Sequence, residues 1–363
     1  MTFQIRVLPE GVKVECSDSD VSMRLGVQGE WKAIRHDERF YRRGVDGSVH
    51  GANGIFSPGA KQAVELHQDI LPFCRRTLEA GVADAVEVIL QRCLRLPIGF
   101  YHQQEQAYQA VYPEGVPVLP PDRYRDVVFP VTTGCPNGQC TFCAFYRGKP
   151  FSLLRSDGQD DFSRQVKTLF PKGVAGREGI FLGSANALAL PFSALGRTLD
   201  NAIKLLGMPK RGIACFGDAD YMGKRTVEQW EELQSKGLRQ VVLGLETGAP
   251  DLRKTIGKSD QLWKTERLAH QLKQAGIAVG FTVLTGFIAA EHFPEHRKQT
   301  DNFLQALELE EEDRVYISPW FTDGALQPEG RAFDEAKDMK QQLQASTRAR
   351  VTAYSSHNFY YFS

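Results

Sequence analysis

The sequence of 363 residues has no excess of charge of either sign, because 44 lysines and arginines balance 44 aspartates and glutamates. This neutrality argues against nucleic acid or an acidic membrane surface as a partner. The amino-terminal stretch lacks a basic segment followed by an apolar one, and no run approaches the ~18 apolar residues of a membrane-spanning helix. These absences predict a soluble, cytoplasmic protein.

Cysteine is scarce and unevenly placed. There are seven cysteines, an odd number, and three of them stand within nine residues. This distribution favours a reducing compartment over a disulfide scaffold. Three others lie far apart in the first hundred residues and are predicted to be small buried side chains: Cys16, Cys74 and Cys93.

The three clustered cysteines follow a β-branched run, residues 127–133, which predicts a buried strand. They are Cys135, Cys140 and Cys143, and we call residues 134–143 the cysteine loop. Three thiolates cannot pair as disulfides without leaving one over, and a closed zinc site takes four protein ligands. Three ligands suit a four-iron cluster whose fourth iron is left for an outside ligand. The alternative is a half zinc site completed by a distant cysteine or histidine.

The cysteine loop resembles the signature of the radical SAM superfamily. That signature has three cysteines separated by three and then two residues, with an aromatic residue before the last. Here the pattern is Cys-x4-Cys-x2-Cys, with Phe142 before Cys143 and a first gap one residue longer, as in some branches of the superfamily. The resemblance implies a [4Fe–4S] cluster on Cys135, Cys140 and Cys143, S-adenosylmethionine (SAM) chelating the open iron, and Phe142 near the adenine.

From residue 127 onward, strand and helix patterns alternate with a period of about thirty residues. Strands are predicted at 127–133, 179–183, 211–217, 240–246, 277–285 and 314–319. Six strand–helix units predict parallel strands with right-handed crossovers. The ligand site of such an array lies at the carboxyl ends of the strands, which is where the cysteines fall. The predicted fold class is therefore α/β, with the partial (βα)6 TIM-type barrel that the resemblance also implies.

Other strand ends resemble SAM-contact segments of the same superfamily. Gly183 and Ser184 stand at the end of the second strand, where the family carries a Gly-Gly-Glu-like turn that binds the methionyl amino group; this chain keeps only the first glycine. The fourth strand ends in Gly-Leu-Glu-Thr-Gly, which resembles the branch containing oxygen-independent coproporphyrinogen oxidase and Elongator-like enzymes. That resemblance implies that Glu246 contacts the ribose hydroxyls and that Lys258 pairs with the ligand carboxylate.

Residues 1–121 form a predicted accessory or cap region that is mainly helical. Residues 3–14 alternate weakly and suggest a hairpin, and the glycine-rich residues 44–59 predict a loop. Apolar residues at helical spacing over 63–94 predict two or three helices. The region carries no recognisable motif, so substrate specificity is its expected contribution.

The rest of the chain divides into a radical SAM core at 122–322 and a short extension at 323–363. The extension is predicted to hold one amphipathic helix and an aromatic tail at residues 359–362. Such dense aromatic residues are expected to be docked, because exposed apolar clusters are costly.

The resemblance to the radical SAM superfamily implies an enzyme that cleaves SAM reductively and abstracts hydrogen from an unidentified substrate. It would need an electron donor such as flavodoxin or ferredoxin and a small-molecule or peptide substrate. No residue is assigned a catalytic role in converting that substrate. The alternative is a non-catalytic iron–sulfur or zinc-binding protein on an inherited barrel. Glu246 and the turn at Gly183 argue against this alternative, because such a protein has no need of a SAM pocket.

Overall fold

The computed structural model of the chain describes residues 2–36, 38–116, 118–154, 160–183, 185–320, 330–355 and 360–363. The chain forms two compact units. The first consists of Met1–Gly115, Gln159–Arg177 and Tyr360–Ser363, and the second of Val116–Gly158 and Glu178–Phe359.

The first unit is built on an antiparallel sheet whose seven strands follow one another in chain order. They are β1 (Phe3–Leu8), β2 (Gly11–Cys16), β3 (Ser22–Gly26), β4 (Trp31–His36), β5 (Arg39–Arg43), β6 (Val49–Gly51) and β7 (Gly54–Phe56). One face is apolar: in β2, Val12 and Val14 are fully buried, while Lys13 and Glu15, which alternate with them, are partly exposed. The prediction of a mainly helical region is therefore wrong, because half-polar strands of three to six residues give only a weak period-two signal.

Helices cover the apolar face of this sheet. They are α1 (Lys61–Glu79), α2 (Asp84–Arg95) and α3 (Gly99–Val111), and a fourth helix of this unit, α4 (Asp160–Leu169), lies against α3. The first two confirm the helices predicted over 63–94, and Pro72 lies inside α1. Their buried faces pack on Leu25, Trp31 and Ile34, which are almost fully buried.

The described part of the aromatic tail, residues 360–362, is docked on the first unit as expected. Tyr361 and Phe362 are buried, and the Tyr361 ring contacts the rings of Tyr112 and Phe170. The backbone N–H of Val45 donates to the carbonyl of Tyr361 at 2.8 Å. Phe359 lies outside the described residues.

The second unit is built on a seven-stranded parallel sheet. Its strands are β8 (Val127–Pro130), β11 (Ile180–Gly183), β12 (Ile213–Gly217), β13 (Leu238–Glu246), β14 (Ala278–Thr285), β15 (Arg314–Pro319) and β16 (Arg350–Ala353). A separate antiparallel pair, β9 (Thr132–Thr133) and β10 (Ser152–Leu153), lies between β8 and β11 in the chain. The order across the sheet is β16-β15-β14-β13-β12-β11-β8. The six predicted parallel strands are confirmed, and β16 adds a seventh.

Helices connect successive strands of this sheet. They are α5 (Phe192–Leu206), α6 (Val227–Ser235), α7 (Pro250–Thr255), α8 (Leu262–Gln274), α9 (Phe293–Ala306) and α10 (Arg331–Ser346). The side chains of Thr226 and Gln229 form a capping box at the start of α6. Within the described ranges, no helix combines the length and apolarity that a membrane span requires. Because the strands are parallel, their carboxyl ends share one edge of the sheet, and the candidate site lies there.

A buried polar network supports the sheet from its interior. Arg123 Nε donates to Gln240 Oε1 at 2.8 Å, and Gln240 Nε2 donates to the Tyr316 hydroxyl at 3.1 Å. That hydroxyl donates to Asp122 Oδ1 at 2.7 Å. Satisfied buried networks fix one packing arrangement, so β13 and β15, on either side of β14, are held in fixed relative positions.

Candidate active site

A cavity of about 670 Å³ lies within the second unit at the carboxyl ends of the strands. Its volume falls in the range of roughly 300–1,000 Å³ that is typical of small-molecule sites. The residues predicted for the site that line this cavity are Cys135, Cys140, Phe142, Cys143, Glu246 and Lys258. The parallel topology thus brings together residues that are more than a hundred positions apart in the sequence.

The predicted turn after β11 is only partly in contact with this cavity. Gly183 is buried, and a Cβ added to it would lie 2.9 Å from Val128 Cγ1, so it packs closely against β8. Ser184 lies outside the described residues. Ala185 and Asn186, which follow, line the cavity.

The cysteine loop is held in place by glycine conformation. Gly134 has φ 58, and a Cβ there would lie 2.5 Å from the carbonyl oxygen of Pro150, so only glycine allows this close approach.

Burial raises the pKa of the Cys140 thiol to about 12 and also raises the pKa of Cys143. Both thiols therefore keep their protons until a metal replaces them.

The number of thiols and their shared cavity suit a four-iron cluster. Cys135, Cys140 and Cys143 line the same cavity. A closed zinc site takes four protein ligands, whereas a four-iron cluster can be held by three cysteines, each on its own iron, with the fourth iron left for an outside ligand. The three thiols that face one cavity therefore fit a [4Fe–4S] cluster.

Glu246 is directed into the cavity by an irregular backbone. It has φ 64, and the pairing of β13 with β14 shifts between Gly244 and Glu246. A bulge of this kind redirects a side chain, and a non-glycine residue at positive φ costs roughly 1–3 kcal/mol. The carboxylate accepts a hydrogen bond from Thr282 Oγ1 at 3.1 Å. Burial raises the pKa of Glu246 despite the nearby Lys258.

Lys258 lies between two carboxylates. Its Nζ donates to the carbonyl of Gly244 at 2.6 Å and lies 3.4 Å from Asp218 Oδ2 and 3.6 Å from Glu246 Oε1. Burial alone would lower the pKa of Lys258, but Asp218 and Glu246 outweigh it and raise the pKa above its usual value. Burial likewise works against ionisation of Asp218, and Lys258 reverses that effect, so the pKa of Asp218 is lowered. The ammonium of Lys258 therefore stabilises a buried carboxylate pair.

Arg253 fixes the segment that carries these groups. It is almost fully buried, and its guanidinium donates to the carbonyls of Leu245 and Ser259. The first carbonyl belongs to the end of β13 and the second follows Lys258. Arg253 therefore ties the Glu246 backbone to the loop of Lys258.

Aromatic side chains form much of the remaining wall. Phe142, Phe216, Trp320 and Tyr354 line the cavity. Flat apolar surfaces of this type suit a purine ring. Cys215, the neighbour of Phe216, is fully buried and is not among the lining residues, so it packs as a structural thiol.

Three polar residues of the site received little or no weight from the sequence. Asp218, which directly follows β12, is an ion-pair partner of Lys258. Asn186 and Tyr221 were not anticipated, although each lies just beyond a predicted strand, where polar residues of parallel sheets collect.

The chain is similar to a known protein family and to several solved structures. Residues 129–303 match the Radical SAM superfamily profile, whereas no curated protein matches the chain significantly. SuiB from Streptococcus suis bound to S-adenosylmethionine is 12% identical, with 98% of this chain and 73% of SuiB covered and a TM-score of 0.47. The radical S-adenosylmethionine methyltransferase TsrM from Kitasatospora setae is 15% identical, with 54% and 36% covered and a TM-score of 0.39.

A third similar structure is coproporphyrinogen III oxidase (HemN) from Escherichia coli, which is 11% identical, with 47% of this chain and 39% of that enzyme covered and a TM-score of 0.35. The aligned part of this chain thus spans about a third of the length of TsrM and two fifths of HemN. Such identities are too low to transfer a substrate. The match over residues 129–303 includes the whole Cys-x4-Cys-x2-Cys segment, and the chain belongs to the radical SAM superfamily of enzymes, which use a [4Fe–4S] cluster and SAM.

Proposed function

We propose that this protein holds a [4Fe–4S] cluster on Cys135, Cys140 and Cys143, cleaves SAM reductively and abstracts hydrogen from an as yet unidentified substrate. One observation carries the proposal: the three thiols face the same cavity as Phe142 and Glu246. A non-catalytic metal protein would have no use for a strained, buried carboxylate beside its cluster ligands.

The bound cofactors would supply the one-electron chemistry that breaks the sulfonium bond and gives a hydrogen-abstracting radical. The protein's residues bind, orient and shield. Glu246, held by Thr282 and Lys258, accepts hydrogen bonds from the ribose hydroxyls. Phe142 lies against the adenine, and the backbone at Gly183 and Ser184 binds the methionyl amino group.

Lys258 is the proposed partner of the SAM carboxylate. Its ammonium has three N–H groups and three acceptors, on Gly244, Asp218 and Glu246. Pairing with SAM would therefore require Lys258 to release one of its two carboxylate partners. This exchange keeps the ammonium ion-paired in both states.

Finer assignments extend the proposal. We place the chain near the branch containing oxygen-independent coproporphyrinogen oxidase and Elongator-like enzymes, because its Gly244–Gly248 segment has that branch's pattern. The parallel sheet would curve into a partial (βα)6 barrel, with residues 1–121 as an accessory region for substrate specificity. A flavodoxin or ferredoxin would supply electrons, and the substrate would be a small molecule or peptide.

Anaerobic reconstitution tests the proposal. The protein should bind about four irons, its reduced spectrum should change when SAM is added, and dithionite should produce 5′-deoxyadenosine. Tetrahedral zinc without iron-dependent absorbance would contradict the cluster. A stable cluster without SAM binding would instead support the non-catalytic alternative.

A further inference from the structure

The side chain of Asn137 lies against a sulfur atom of the cysteine loop. Its Nδ2 is 3.0 Å from Cys140 Sγ and 3.1 Å from the carbonyl oxygen of Gly257. Its Oδ1 accepts a hydrogen bond from the Tyr221 hydroxyl at 3.1 Å. Asn137 lies inside the Cys-x4-Cys gap, which is one residue longer than the common radical SAM spacing.

These contacts fix which way the amide faces. A carbonyl oxygen can only accept, so the Gly257 carbonyl requires the NH2 group of Asn137 on its side. The second N–H of that group then points to Cys140 Sγ, while the amide oxygen receives Tyr221. Every polar atom of the amide has a partner in this orientation, and a flipped amide would lose the contact with Gly257.

The surroundings hold this amide in position. Gly257 has φ 74, and a Cβ there would lie 2.5 Å from the Gln139 carbonyl oxygen, so glycine is needed for this loop to approach the cysteine loop. The carbonyl of Tyr221 accepts a hydrogen bond from Asn186 Nδ2 at 2.9 Å. Asn186 is almost fully buried. The donor on Cys140 is thus built into the site by elements after β11, β12 and β13.

We infer that Asn137 is a positioning residue that raises the reduction potential of the cluster by donating a hydrogen bond to the Cys140 thiolate. The inference rests on the proposed function, because it requires Cys140 to be a cluster ligand. Reduction adds one electron from the external donor to the cluster, and the amide keeps its proton. The added electron makes the ligand sulfurs more negative, so an N–H donor stabilises the reduced state more than the oxidised one.

The test is a redox titration of the reconstituted protein without SAM, followed by the EPR signal of the reduced cluster. In Asn137→Leu, which has a similar volume and no donor, the ratio of reduced to oxidised cluster at a fixed potential should fall about tenfold, equal to about 59 mV for one electron. Tyr221→Phe should also lower the ratio of reduced to oxidised cluster, but by a smaller factor. Gln139→Leu is the matched control, because this amide of the same loop is exposed, and its ratio should stay within about twofold of the parent value.

Iron content separates the two proposals. If Asn137→Leu binds the parent amount of iron and its ratio changes less than twofold, the inference is overturned while the proposed function stands. Asn137→Asp keeps the shape and the Tyr221 contact but replaces the donor with a carboxylate, and it should lower the potential further. If neither Asn137 variant assembles the cluster while Gln139→Leu does, Asn137 serves loop folding and the inference is wrong. A parent protein that binds no iron would refute both proposals.

Discussion

Replacing Glu246 by alanine should weaken SAM binding while leaving the cluster intact. The carboxylate is buried, hydrogen-bonded to Thr282 Oγ1 at 3.1 Å and 3.6 Å from Lys258 Nζ. Loss of a hydrogen bond from a charged group costs roughly 1.5–3 kcal/mol. At 1.4 kcal/mol per tenfold, SAM affinity should fall about ten- to hundredfold.

The structure also indicates that this variant will fold. Removing one member of a buried ion pair is harmful when it strands the other charge, but Lys258 keeps Asp218 at 3.4 Å and the Gly244 carbonyl at 2.6 Å. Glu246→Gln separates the contribution of the charge from that of the side-chain shape, because glutamine has the same length and keeps one neutral hydrogen-bond acceptor. A neutral hydrogen bond is worth roughly 0.5–1.5 kcal/mol, so this variant should lose less affinity than alanine.

Equilibrium dialysis of SAM under anaerobic conditions, with iron measured in the same samples, gives the result directly. Glu231→Ala is the control, because Glu231 is an exposed carboxylate on α6, and its SAM affinity should equal that of the parent. An unchanged affinity in iron-replete Glu246→Ala would show that the carboxylate is no SAM ligand. The alignment of β13 with the ribose-binding strand would then be wrong.

Three further outcomes are expected. Alanine at any one of the three loop cysteines should abolish the iron-dependent absorbance, whereas Cys16→Ala and Cys74→Ala should keep it; retention of four irons in any loop variant would contradict the ligand assignment. The buried imidazole of His296 donates a hydrogen bond from Nε2 to the carbonyl of Leu284 and accepts one at Nδ1 from the Thr247 hydroxyl. Burial lowers the pKa of His296 to about 4. Between about pH 6.5 and 4 the unfolded chain therefore binds more protons than the folded chain, so the free energy of unfolding should fall by up to ~3 kcal/mol on acidification through that window. Urea titrations of His296→Gln should show a smaller fall over the same pH range. A fall equal to that of the parent would exclude His296 as its cause. Thr226→Ala should lower the unfolding free energy by ~1 kcal/mol through loss of the α6 cap, while Thr226→Ser should not, and a normal denaturation midpoint for the alanine variant would show that the capping box adds nothing.

The parallel core was predictable because its signals are local and strong. Buried strands such as Val127–Pro130 and Ile180–Gly183 are continuous apolar runs, and the Thr226–Gln229 box marks a helix start. The amino-terminal sheet was not predicted from the sequence, because its strands are short and rich in charged residues. Arg39–Arg43, for example, contains three arginines and only one fully buried side chain, which hides any period-two pattern.

The sequence predicts the ligand-binding residues of the site, but not the backbone geometry and hydrogen bonds that hold them in place. Cysteine spacing identifies three thiols by itself, and Glu246 ends an apolar strand. The positive φ of Glu246 and the bulge at Gly244 depend on β14 and the Lys258 loop, and these tertiary contacts leave no local pattern. The same is true of Asn137, whose three partners include residues 84 and 120 positions away.

The first unit is assembled from stretches that are separated along the chain, and this affects how it forms on the ribosome. Its first 115 residues are made long before residues 360–363. At 5–20 residues per second, the interval is roughly 12–50 s. During that time the backbone at Arg43 and Val45 lacks its hydrogen bonds to Ser363 and Tyr361. A nascent chain therefore presents an incompletely covered sheet, and it is in this interval that a chaperone or a second nascent chain has access to it.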